Sequence, residues 1–154
     1  MRQMILVLAA MATLAATPAR SFDPAGADII GLRLGMTEPE VAGRLTRQGF
    51  AVIRAPGSIA ANTMDGHLTA SISPERGVTD IRYVFFGRGA GAPAKIREAI
   101  MVRFGDPDQA DPPAWCREKR QDGTCPATDA LLSFLPGSLT LRLTAAADKS
   151  APAE

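Results

Sequence analysis

The chain has 154 residues, of which 46% are apolar and 21% charged, the balance of a globular domain rather than a disordered one. Lys and Arg total 17 against 16 Asp and Glu, which leaves no field to attract nucleic acid or an acidic membrane surface. This length suits one domain with a single modest core.

The chain opens "MRQMILVLAAMATLAATPARS". Arg2 supplies a positive start, Met4 to Ala16 form an apolar run of thirteen residues, and "TPA" ends at Ala19 with small residues where a signal peptidase needs them. Thirteen helical residues span about 20 Å, short of a hydrocarbon core of about 30 Å. Residues 1–19 therefore read as a cleaved export signal, which places the mature protein in the periplasm or outside the cell. Its removal takes away Arg2 and no acid, leaving 16 basic against 16 acidic residues. No twin-arginine pattern is present, and no cysteine lies near the cleavage point, so neither a lipid anchor nor a membrane span is expected after cleavage.

Residues 20–30 read as a short extended lead-in. The first helix is marked at both ends of "GMTEPEVAGRLTRQGF". Thr37 is the N-cap, Glu40 completes a capping box, Met36 and Val41 can staple, and Pro39 falls in the first turn, where a missing N–H is harmless. Gly49 stands where a left-handed residue ends a helix, with Phe50 able to fold back on Leu45, so a helix over 38–48 is expected. "FAVIR" (50–54) follows as a strand. "HLTASIS" (67–73) alternates, with Leu68, Ala70 and Ile72 on one face and His67, Thr69, Ser71 and Ser73 on the other. "PERG" (74–77) turns the chain into a partner strand at 78–87.

"GRGAG" (87–91) reads as a joint. Pro93 suits the start of a second helix over 93–104, with Ile96, Ile100 and Phe104 spaced by four and Gly105 and Pro107 ending it. "ALLSFLPGSLTLRLTA" (130–145) reads as a hairpin turning at Pro136-Gly137, with Leu139, Leu141 and Leu143 facing inward. Residues 147–154 read as a disordered tail. The expected fold is α+β: an antiparallel sheet with helices packed on one face, in one domain over 20–146. Its order is α-β-β-β twice, with halves at 30–87 and 92–145, and the cysteine segment supplies early strands of the second half.

"GLRLGMTEPEVAGRLTRQGF" resembles the opening helix of the SmpA/OmlA family, small periplasmic lipoproteins that include the accessory subunit of the outer-membrane β-barrel assembly machine. Gly35, Met36, Thr37, Val41 and Leu45 fit that pattern. "RQGF" departs from the family's Pro-containing helix end, and "RFGDP" (103–107) echoes that end on the second helix. An α-β repeat of such units is also similar to the β-lactamase inhibitor protein fold. Both resemblances imply a protein-binding module without catalysis. The lipid-anchoring cysteine of the first family is missing, so the resemblance implies the fold and not a role in barrel assembly.

Few residues point to chemistry. His67 is the sole histidine, on the polar face of a strand; a general base would need Asp65 and a serine to converge on it in space. "GDPDQAD" brings Asp106, Asp108 and Asp111 close, but the prolines stiffen it, and the glycine and closing glutamate of a calcium loop are absent. "GRGAGAP" fails the dinucleotide glycine spacing, and Arg88 beside the second helix is its sole phosphate-binding feature. No cofactor and no metal are expected.

Cys116 and Cys125 enclose eight residues, "REKRQDGT". That spacing is not the C-x-x-C of a redox centre. Two cysteines and one distant histidine do not complete a zinc site. In an exported protein the pair is expected to form a disulfide. The polar segment between is a solvated loop whose tip is either Arg120-Gln121 or Asp122-Gly123, or else part of a short helix from Pro113 to Gln121. Trp115, Arg117, Lys119, Arg120, Tyr83 and Phe86 are the candidate interface residues. The expected function is an exported, non-catalytic module that binds a protein or cell-envelope partner. The alternative is a small-ligand binder or hydrolase with a site formed in space around His67.

Overall fold

The computed structural model describes residues 22–89 and 91–147. The expected export signal, and the expected tail apart from Ala147, lie outside them. Helix α1 (Glu38–Arg47) precedes four strands: β1 (Val52–Ala55), β2 (Ser58–Asn62), β3 (Gly66–Ser73) and β4 (Gly77–Phe85). Helix α2 (Ala92–Phe104) precedes another four: β5 (Gln109–Ala110), β6 (Pro113–Trp115), β7 (Leu131–Leu135) and β8 (Thr140–Thr144). All eight strands form one antiparallel sheet, ordered β1-β2-β3-β4-β8-β7-β6-β5. The last strands of the two halves pair at its centre, with Ile81 opposite Leu143 and Tyr83 opposite Leu141.

The expected α+β class and antiparallel sheet are present, with corrections to the strand count. Each helix is followed by four strands, not three. The missed strand in the first half is β2, which pairs with β1 across a tight turn at Pro56-Gly57. Its sequence, "SIAAN", has one large apolar residue, and of its two alanines only Ala61 becomes core, beside Leu68 of β3, while Ala60 lies on the opposite face. In the second half the early strands β5 and β6 end at Trp115, and the chain between the cysteines is loop, not strand. The short helix expected as an option from Pro113 does not form; Pro113–Trp115 is strand β6 instead. Leu139 sits outside β8, capping a 3-10 turn in a left-handed conformation, so the inward row of that strand is Leu141 and Leu143.

Both ends of α1 follow from its sequence. The Glu40 carboxylate accepts from the Thr37 N–H at 2.7 Å and from its hydroxyl at 2.8 Å, and these bonds hold the Glu40 carboxyl below its ordinary pKa. At the other end the Phe50 N–H donates to the Leu45 carbonyl and the Gly49 N–H to Thr46, the two bonds of a Schellman ending. Val41, Ala42 and Leu45 are its buried stripe.

The register explains the core. Ile59, Ala70, Ile81, Leu143, Leu132 and Trp115 are successive cross-strand neighbours, all buried. A second row runs Ala61, Leu68, Tyr83, Leu141 and Phe134. The stripe of α1 and Ile100 of α2 join these rows in one buried cluster. The lead-in is not extended as expected. Ile30 and Gly31 turn with positive φ, Ile29 and Leu32 bridge, and both enter the core.

One glycine is dictated by close approach. Gly77 ends the turn between β3 and β4 with φ of +67°, and a Cβ there would meet the Gly35 carbonyl oxygen at 2.5 Å. The Gly35 N–H donates to Val78 O and the Val78 N–H to Met36 O, both at 2.8 Å, so the start of α1 is tied to the strand pair it covers.

Candidate functional site

The face of the sheet opposite the core is polar. Its central row runs Ala60, Thr69, Arg82, Arg142 and Ser133. Arg82 and Arg142 stand directly opposite one another on β4 and β8, an arrangement that like charges normally disfavour. Only one of them is neutralised. The Asp80 carboxylate accepts from Arg142 Nε at 2.6 Å and from the Thr144 hydroxyl at 3.1 Å. Among the described residues Arg82 is exposed and has no ion-pair or hydrogen-bond partner. Toward one end the face turns apolar: Val84 is followed by Phe86, which is half exposed, and Leu135 lies two strands away at 41% exposure.

His67 sits on this face between Asn62 and Val84. Its Nδ1 lies 2.7 Å from the Asn62 side-chain oxygen. The Asp65 carbonyl accepts from the Phe86 N–H, and among the described residues no hydrogen bond links His67 to Asp65 or to a serine.

The six candidate interface residues separate by burial. Tyr83 and Trp115 are core residues, 5% and 1% exposed, and are withdrawn as surface anchors. Tyr83 looks amphipathic in sequence, but alternation along β4 turns it inward. Its hydroxyl lies 2.6 Å from Thr63 Oγ1, and burial raises the phenol's pKa against the opposing effect of that bond. Trp115 stacks near Phe104, with ring centroids 6.1 Å apart, and its indole N–H donates to the Gly105 carbonyl at 3.0 Å. Phe86, Arg117, Lys119 and Arg120 are exposed.

Cys116 and Cys125 are disulfide-bonded. Strand β5 and the residue before it brace the bond: Asp108 accepts from the Cys116 N–H at 3.0 Å, and Gln109 Oε1 from the Cys125 N–H at 3.1 Å. One member of the aspartate cluster thus has a structural partner, and among the described residues no group of three or more His, Cys, Asp or Glu side chains is placed to hold a metal. The loop closes on a turn at Gln121-Asp122, between the two tips weighed from sequence. Arg120 N–H donates to Thr124 O and Gly123 N–H to Arg120 O. Asp122 accepts from the Thr124 amide and hydroxyl, which lowers its pKa. Arg117 pairs with Asp23 at 2.9 Å, across 94 residues of chain.

A cleft of about 450 Å³ lies between α2, the lead-in and the core side of the sheet. Its apolar wall includes Ile29, Tyr83, Phe85, Ile96, Phe104 and Leu141, and Lys95, Arg103 and Asp65 stand among its lining. Arg103 is held by Asp28 at 2.9 Å. No motif marks this cleft in the sequence, because its residues come from the lead-in, the β2–β3 turn, β4, α2 and β8.

No helix among the described residues is long and apolar enough to cross a membrane. Comparison with protein-family models, with curated proteins and with solved structures finds no match to this chain.

Proposed function

We propose that this chain is an exported, non-catalytic module that binds a protein or cell-envelope partner on the open face of its sheet. The observation that carries this reading is Arg82: a guanidinium without a partner among the described residues, at the centre of an eight-stranded sheet, opposite a second arginine. A planar donor fork in that position suits a carboxylate on a partner. Phe86, Val84 and Leu135 beside it supply the apolar contact that protein interfaces place around such an anchor. In this reading both helices cover one face and leave the other uncovered, which the shared buried cluster supports. The halves are read as a duplicated unit of one helix and four strands, as the resemblance to the β-lactamase inhibitor protein fold implies; the mirrored strand order about β4–β8 supports it. Export is supported by the leader-like N-terminus and by the disulfide, a bond that persists in oxidising compartments.

Affinity capture from envelope extract followed by calorimetry with the purified partner tests the reading. Arg82→Glu should weaken binding at least tenfold while the melting temperature holds. Lys119→Glu, on the disulfide loop, should leave it unchanged. The reverse pattern would move the interface to that loop.

A further inference from the structure

The cleft beneath α2 is lined by Tyr83 and Leu141 from the core side of the sheet, and only the depression at its end reaches Phe86 of the open face; its size and charge are those of a ligand site. About 450 Å³ falls within the range of small-molecule pockets, roughly 300–1,000 Å³. The end at Ile29, Phe104 and Leu141 is apolar apart from the closed Arg103–Asp28 pair, and the hydroxyl among the lining residues, on Tyr83, is already engaged by Thr63. Toward the N-terminal end of α2 the cleft continues into a second depression that shares Asp65, Phe85, Lys95 and Ile96 with it and adds Arg88. The groove therefore runs along α2 from an apolar end to a charged one.

At the charged end two cations, Lys95 and Arg88, face one acid, Asp65. Among the described residues neither cation has an ion-pair partner. Arg103 also lines the cleft, but Asp28 has already neutralised it. The helix over the groove is lightly held, since Ile100 is its one buried residue.

We propose that this groove binds a single-chain anionic amphiphile, with its alkyl tail lying against Ile96, Phe104 and Leu141 and its head group at Lys95 and Arg88. The apolar length takes the tail, and the excess of positive charge at the mouth selects an anion over a cation of the same tail. The chemistry is shared by a fatty carboxylate and an alkyl phosphate.

Trp115 reports on the site, because it is the sole tryptophan and its ring lies beside Phe104, a wall of the cleft. Fluorescence and calorimetric titrations of the full mature chain would use laurate, dodecyl phosphate, dodecanol and dodecyltrimethylammonium, each below its micelle concentration. Expected is saturable one-to-one binding of at least one anion, tenfold or more tighter than the ammonium. The stronger of laurate and dodecyl phosphate identifies the head group. Lys95→Glu should weaken the anion at least fivefold and leave dodecanol unchanged. Ala99→Phe, which fills the cleft from an exposed helical position, should abolish binding of all tails while the circular dichroism melt is retained; Ala99→Leu serves if the larger residue unfolds the protein. Wild-type protein with no saturable signal, equal affinity for the anions and the ammonium, or a folded filled-cleft variant that binds as wild type would each overturn the proposal.

Discussion

Helix α1 buries three of its ten residues, Val41, Ala42 and Leu45, whereas α2 buries one of thirteen, Ile100. Both helices precede four strands of the same sheet, so the difference is not topological. It follows from sequence. In α1 the apolar residues fall on one stripe, flanked by Glu38, Arg44 and Arg47, and both ends are tied down by capping bonds. In α2 the apolar residues are spread around the helix, and Val102 is 83% exposed. Its N-cap is Gly91, which lends no side-chain bond. The second half is secured elsewhere, by Trp115 in the core and by the braced disulfide. A helix held by a few contacts leaves space beneath it, and the cleft is that space.

This contrast can be broken most directly by truncating each helix. Leu45→Ala should cost about 2–5 kcal/mol, the range for a fully buried leucine. Ile96→Ala, at a half-buried position beside the cleft, should cost less than about 1.5 kcal/mol, because part of its surface already faces solvent. Urea unfolding of the two variants gives both values. Equal losses would mean that α2 is as firmly packed as α1.

Removing the disulfide tests what holds the second half. Replacing both Cys116 and Cys125 by serine should lower stability by about 2–3 kcal/mol in the loop-entropy account, for a separation of nine residues. Hydrogen exchange should place the lost protection in β5 and β6, where Asp108 and Gln109 brace the bond, and leave α1 unchanged. Uniform loss across both halves would show that they unfold as one unit.

The smallest effect concerns the cap of α1. The Thr37 hydrogen bonds lower the Glu40 pKa beneath its ordinary 4.5. A carboxyl whose folded pKa is depressed contributes stability that is present above its unfolded pKa and is lost as pH falls through the folded value. Glu40→Gln should therefore melt slightly lower than wild type at pH 7, and the gap should close on acidification below about pH 4.5. A gap that persists at pH 3 would assign the effect to packing instead of charge.

Much of the first half was legible because its signals are local. Thr37, Glu40, Gly49 and Phe50 act within four or five residues of their partners, so a linear reading finds the helix to within one residue. The strict alternation of "HLTASIS" likewise gives β3 its faces. Strand β2 was missed because Ala60 and Ala61 carry no periodic signal of their own. Tyr83 and Trp115 stood as candidate interface residues because a large aromatic looks the same in sequence whether alternation turns it inward or outward, and the register of neighbouring strands settles which.

The sequence alone determined the ends of α1, the close of α2 at Gly105, the hairpin turn at Pro136-Gly137, and which cysteines pair, since only two exist. These depend on short-range bonding or on counting. The tertiary structure decided which strands meet at the centre of the sheet, and so that Arg82 faces Arg142 across 60 residues of chain while Asp80 takes only one of them. It also decided that five separate segments line a cleft under α2. The physical reason is common to both: like-charge opposition and a cleft are properties of how separate segments approach, and no window of adjacent residues contains them.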